Sequence, residues 1–353
     1  MDVHPKKENK MRSIKYSQAL SEGLVQSMEI DNNIFVTGIG VDYPSGIFGS
    51  TIEAAKRFPK RVFDAPAMEN ALTGIAIGAA ALGKRPVIVH PRNDFMFLAF
   101  DMMINLAAKW KYMYGGNAGN VPIVVRAVIG KGWGQGASHS QSLQSVLAHF
   151  PGLSVVMPAF PKDAKGLLMS SLTHSSPVVI LEHRTLYDTE GEVSEEPYFT
   201  PIGKAAIVRE GIDITIVATS YMAYEAVYAA EMLENEGINA EIIDLRSIRP
   251  LDEETILTSI KKTGRLIIAD TSWELCGVSS EIAALAVEKA FSYLKAPVRR
   301  ITPANCPAPV SLPLEKSFYP TATTIANVAL SLLGKQSNKF DDIDRHDNFK
   351  GPY

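Results

Sequence analysis

The chain has 353 residues, 46% of them hydrophobic and 21% charged, which is enough for two domains with their own cores. A net charge of −3 gives no electrostatic case for nucleic acid or an anionic membrane surface, so neither is expected as a partner. The two cysteines, Cys276 and Cys306, are too few for a disulfide framework and lack metal-ligand spacing, which favours a reducing, cytoplasmic setting.

Residues 1–12 are polar, without the apolar core of a signal peptide, and are read as a flexible N-terminus. Apolar residues at helical spacing predict a helix over 13–28, followed by a strand at 34–37. A Gly-rich stretch (38–49) and a short helix (51–57) come next. The β-type run 61–63 breaks at Asp64-Ala65-Pro66, and a helix of small and apolar residues opens at Glu69 and runs towards Gly83, too short to cross a bilayer. Further strands are expected at 86–89, 121–129, 153–157 and 177–182. The helices between them are placed at 97–112, 141–149 and 163–172. Strands alternating with helices predict an α/β fold with a largely parallel sheet covered on both faces.

Residues 184–203 are charged and aperiodic and read as an interdomain linker. A second α/β unit spans 204–334, with strands at 213–218, 240–244, 265–269 and 298–302. Its helices fall near 221–236, 252–262, 277–292 and 322–334. Residues 335–353 alternate in charge and read as a disordered tail. The expected domains are therefore 13–183 and 204–334.

Glu69 is the one carboxylate on a helix that otherwise reads as buried. The simpler reading is an acid stabilised by the positive helix N-terminus. The sharper one is an acid held for chemistry, because α/β sites collect at the carboxyl ends of strands. The run from Gly132 to Ala137 fits a relaxed dinucleotide fingerprint, which makes a nicotinamide enzyme a rival reading. No Asp or Glu follows between Gly132 and Lys162 to hold a ribose, so the run is better read as a loop at an active-site mouth.

The segment Asp64-Ala-Pro-Ala-Met-Glu69 resembles the Asp-x-Pro-x-x-Glu signature of the beta subunits of 2-oxoacid dehydrogenase decarboxylase components (pyruvate, branched-chain, acetoin), of the transketolase-like superfamily. So do Gly136-Ala-Ser-His-Ser-Gln141, Phe150-Pro-Gly-Leu-Ser-Val-Val-Met-Pro158, Asp163-Ala-Lys-Gly-Leu167, Pro177-Val-Val-Ile-Leu-Glu182, Ile243-Asp-Leu-Arg-Ser-Ile-Arg-Pro250 and Pro307-Ala-Pro309, in the family's order. The resemblance runs from about residue 11 to 333. It implies a pyrimidine-binding domain followed by a transketolase C-terminal-like domain. It also implies thiamine diphosphate as cofactor, with Glu69 on the aminopyrimidine, Phe95 against its face and His139 at the substrate end.

The family function is decarboxylation of a 2-oxoacid and transfer of the acyl group to lipoamide, here on a lipoyl-domain acyltransferase. The chain has no Gly-Asp-Gly followed by Asn, the superfamily's pattern for Mg²⁺ and diphosphate. The resemblance therefore implies that an alpha subunit supplies that half, in an α2β2 assembly. It further implies a K⁺ ion on backbone carbonyls of Ile123, Ser171, Leu172, His174 and Ser176, with His174 standing where an Asp is usual.

Two departures bear on substrate. Gly38-Ile39-Gly40-Val41 lacks the family's acidic pair, and Val89-His90-Pro91-Arg92 replaces a run that carries Glu. His90 and Arg92 are thus substrate-side candidates, making the mouth more basic, as an anionic or larger substrate would require. They keep open a split transketolase-like or carboligating transferase. A non-catalytic assembly subunit is the third reading.

Overall fold

The computed structural model describes residues 10–131, 134–336, 340 and 341. Seven strands form the first sheet, in the order Ser247–Arg249, Ser154–Val156, Val178–His183, Val124–Ile129, Arg85–His90, Ile34–Gly38, Val62–Asp64. All neighbours are parallel except Ser247–Arg249, which runs antiparallel to Ser154–Val156. The central strands are runs of Val and Ile buried on both faces, as a parallel sheet between helices requires.

The second sheet has five strands, Arg299–Ile301, Leu266–Ala269, Ile214–Ala218, Ala240–Asp244 and Ala206–Arg209, of which only the last is antiparallel. The expected two-unit α/β architecture is what the structure shows. The units interlock, because Ser247–Arg249 leaves the second half of the chain to extend the first sheet.

Element boundaries differ from the sequence reading at several points. Met11–Lys15 is a strand, not the start of a helix; it pairs antiparallel with Glu190–Ser194, and the helix follows at Tyr16–Ile30. Both strands are charged and partly exposed, so neither shows the apolar alternation by which strands are recognised. The stretch expected as one helix over 97–112 begins at Asn93 and widens to π-helical turns over Asp101–Ala107. The helix expected at 141–149 is only Gln144–Ala148, because Gln141 is engaged elsewhere.

Residues 1–9 and most of 335–353, read as flexible and disordered, lie outside the described residues. Of the latter stretch, Phe340 donates its N–H to Asn327 and accepts from its Nδ2, 3.3 and 3.2 Å away.

Candidate active site

Parallel strands deliver their carboxyl ends to one edge of the sheet, and the predicted site residues follow those ends. Gly38 must be glycine: its φ is +146°, and a Cβ would run into the Val89 carbonyl. The Asp64 carboxylate accepts the Gly40 N–H at 2.5 Å, closing the loop beyond Gly38 onto the end of its neighbour strand. Glu69 follows as the first residue of the helix Glu69–Ala81 and is only 9% exposed. Its carbonyl accepts the Thr73 hydroxyl at 2.8 Å. Among the described residues its carboxylate has no hydrogen-bond partner. A buried carboxylate at a helix N-terminus, with its lone pairs unused, fits an N–H or a protonated ring nitrogen brought by a ligand.

Two loops away the structure joins two more predicted residues. The Phe95 ring, 41% exposed, meets the His139 imidazole edge-on with centroids 5.1 Å apart. His139 Nδ1 lies 2.9 Å from the Ser138 hydroxyl. A dense set of bonds fixes this pairing. Asp94 accepts the backbone N–H and side-chain Nε2 of Gln141, at 3.3 and 2.8 Å. The Asn93 amide donates to the Gln141 carbonyl at 3.0 Å, and Arg92 Nη2 to Gln135 Oε1 at 2.6 Å. Gln141, expected to open the helix over 141–149, is instead the clasp between the two loops. Of the glycine-rich run, Gly132 and Trp133 lie outside the described residues. Gly130, with φ +78°, must be glycine because a Cβ would strike the His183 ring. Among the described residues no hydrogen bond or ring contact joins Glu69 to Phe95 or His139; they share the sheet edge only.

His90 and Arg92 sit where the sequence placed them, but their electrostatics differ from the expectation. His90 is 3% exposed, its Nε2 buried without a partner, and burial lowers its pKa to about 4. It is neutral at physiological pH and adds no positive charge. The basic character comes from Arg92 and from Arg184, which the sequence reading passed over inside its linker. Both guanidinium groups are nearly fully buried. Burial depresses the pKa of each, Arg184 to about 10, and Arg92 adds to the depression of Arg184. Arg184 lies over the Phe48 ring at 4.3 Å and beside Tyr187 at 5.1 Å. Its only signal in the sequence was its position immediately after a buried strand.

Beneath these loops a buried ion pair stiffens the floor. Arg126 donates to both oxygens of Glu182, at 2.5 and 2.9 Å, and to Ser50 at 2.8 Å. The Tyr187 hydroxyl donates to the same carboxylate at 2.5 Å. Among the described residues no group of three or more His, Cys, Asp or Glu could hold a metal ion. No helix among them is long and apolar enough to cross a membrane.

Residues 12–190 match the model of the transketolase pyrimidine-binding domain, and 203–325 that of the transketolase C-terminal domain. The beta subunit of acetoin:2,6-dichlorophenolindophenol oxidoreductase from Bacillus subtilis is 41% identical over 92% of this chain and 98% of that protein. Its counterpart from Cupriavidus necator is 40% identical over 90% and 97%. The mitochondrial pyruvate dehydrogenase E1 component subunit beta-1 of Arabidopsis thaliana is 42% identical, covering 88% of this chain and 87% of that protein. Among solved structures, a split-gene transketolase described as an inactive beta4 tetramer superposes with a TM-score of 0.75. It is 24% identical and covers 91% of this chain and 98% of that one, a likeness of fold.

Proposed function

The chain belongs to the transketolase-like family of 2-oxoacid dehydrogenase E1 beta subunits, and on that premise we propose that it is the pyrimidine-side half of a thiamine-diphosphate enzyme. The observation that carries this reading is Glu69, a largely buried residue at a helix N-terminus whose carboxylate has no partner among the described residues. Thiamine diphosphate, when bound, would supply the nucleophile and the electron sink that decarboxylation of a 2-oxoacid needs. Glu69 would accept a hydrogen bond from the pyrimidine ring and so favour the reactive tautomer of its amino group. Phe95 packs against the ring face. His139, fixed by Phe95 and Ser138, holds or releases a proton on the acceptor side.

Mg²⁺ and the diphosphate belong to an alpha subunit, since their motif is missing here, and the assembly is α2β2. Exposed apolar side chains just before and on the Glu69 helix and just after Phe95, namely Phe63, Met68, Ile75 and Leu98, suit burial by that partner. Two free, exposed cysteines suit a reducing compartment such as the cytoplasm.

The acyl acceptor is lipoamide on a lipoyl-domain protein. A second reading, a split transferase that forms carbon–carbon bonds, is favoured by the two buried arginines, which would bind a phosphorylated or carboxylated acceptor. The reconstituted α/β pair, given 2-oxoacids with either lipoyl-domain protein or phosphorylated aldoses, separates them. Reductive acylation of the lipoyl domain is the expected result. Carbon–carbon bond formation without acylation, with a KM for the aldose raised by Arg92→Ala, would establish the transferase instead.

A further inference from the structure

The helices Tyr16–Ile30 and Pro161–Thr173 pack against each other and end beside the first residue of the strand Arg85–His90. Neither has a basic residue in its last turn. Helix C-termini carry partial negative charge and unpaired carbonyls, so this corner calls for a cation. The resemblance placed K⁺ here, on the carbonyls of Ile123, Ser171, Leu172, His174 and Ser176.

Two of these five carbonyls do not fit such an ion, because a side chain already meets them. Arg85 Nη1 donates to the Leu172 carbonyl at 3.0 Å and to the His174 carbonyl at 3.1 Å. Its Nε lies 3.3 Å from the carboxylate of Asp31, the C-cap residue of the other helix. The Ile123 carbonyl accepts the Val178 N–H at 3.0 Å, and the Ser171 carbonyl the His174 N–H at 3.2 Å. A second cation on the two oxygens that hold the guanidinium would face a like charge at contact range. His174 also brings no carboxylate to offset it.

We propose that Arg85 is a built-in replacement for the structural monovalent cation, tying two helix C-termini together, and that this chain neither binds nor needs K⁺. The guanidinium is charged at every working pH and cannot be lost by dialysis, so the corner is permanently closed. The proposal does not depend on the cofactor reading.

The test is thermal unfolding of the full chain in potassium chloride and in choline chloride at equal ionic strength. The wild type should show the same Tm in both, within about 1 °C. Arg85→Met, which opens the cation's place, should unfold several degrees lower in choline and recover at least half the loss in potassium. Crystals of the wild type grown in rubidium chloride should give no anomalous peak among the five carbonyls. A saturable rise of the wild-type Tm with potassium, or a rubidium peak there, would overturn the proposal. So would a folded Arg85→Met that gains no more from potassium than from choline. If Arg85→Met does not fold, Arg85→Gln in the same salts and the rubidium map decide.

Discussion

Each of the two sheets ends at its carboxyl edge in a buried carboxylate, and the two acids are treated in opposite ways. Asp270, just past the strand Leu266–Ala269, is saturated. It accepts from the Gln144 amide at 2.8 Å, the Thr219 hydroxyl at 2.9 Å, the Ser272 hydroxyl at 3.0 Å and the N–H groups of Ser272 and Ser279 at 3.3 Å. Glu69, at the edge of the first sheet, has no partner for its carboxylate among the described residues. An acid left without protein partners at one edge, while its counterpart is fully bonded at the other, is what an edge open to a ligand would require. The second edge is structural: through Gln144 it clamps the two units together.

The largest effect expected from this contrast is on chemistry at Glu69. Glu69→Gln should lower the rate of cofactor C2-proton exchange in the reconstituted enzyme by roughly 10²–10⁴. Folding stability should change by no more than about 1 kcal/mol, the scale of a charge at a helix N-terminus. Exchange monitored by NMR and urea unfolding on the same sample read both quantities. A loss of exchange below about tenfold would reduce Glu69 to a helix-end charge.

Asp270→Ala should do the reverse. It strands the buried hydroxyl donors of Thr219 and Ser272 and the N–H groups of Ser272 and Ser279, each worth about 1–3 kcal/mol, so destabilisation above about 3 kcal/mol is expected in urea melts. Cofactor exchange in whatever remains folded should stay near the wild-type rate. A stable Asp270→Ala variant would show that the second edge is not structural.

The third and smallest effect sharpens the first edge through pH. The folded-state pKa of His90, about 4, is depressed by burial below the ordinary 6.5. The unfolded chain therefore binds more protons between those values. The stability gained by keeping His90 neutral is complete above about pH 6.5 and is lost as pH falls towards 4. A shift of this size corresponds to about 3 kcal/mol. Relative to His90→Gln, the wild type should lose this amount across that window. Parallel stability curves for the two proteins would mean that His90 is solvated.

Much of this was legible in the sequence, for physical reasons that also explain the omissions. Strands such as Val124–Ile129 and Ile214–Ala218 are buried on both faces and so read as unbroken Val and Ile runs. Met11–Lys15 and Glu190–Ser194 were missed because they form a charged two-stranded ribbon whose partners lie far apart in the chain. Ser247–Arg249 is too short to carry a pattern.

At the site, Glu69 and His139 were proposed from ordered motifs and Phe95 from the resemblance alone, and the structure brings Phe95 and His139 into contact. Arg184 was hidden in a polar stretch whose burial no periodicity reveals. His90 was given a charge that its burial removes. Arg85 looked like an ordinary residue at the start of a strand; its role depends on two helix ends that only the fold brings to it.

The central claim is that this chain holds half of a cofactor site, and calorimetric titration of thiamine diphosphate with Mg²⁺ tests it most directly. The full-length chain alone should show weak binding or none, and addition of the alpha subunit should restore tight, Mg²⁺-dependent binding. Micromolar, Mg²⁺-dependent affinity in the chain by itself would contradict the account.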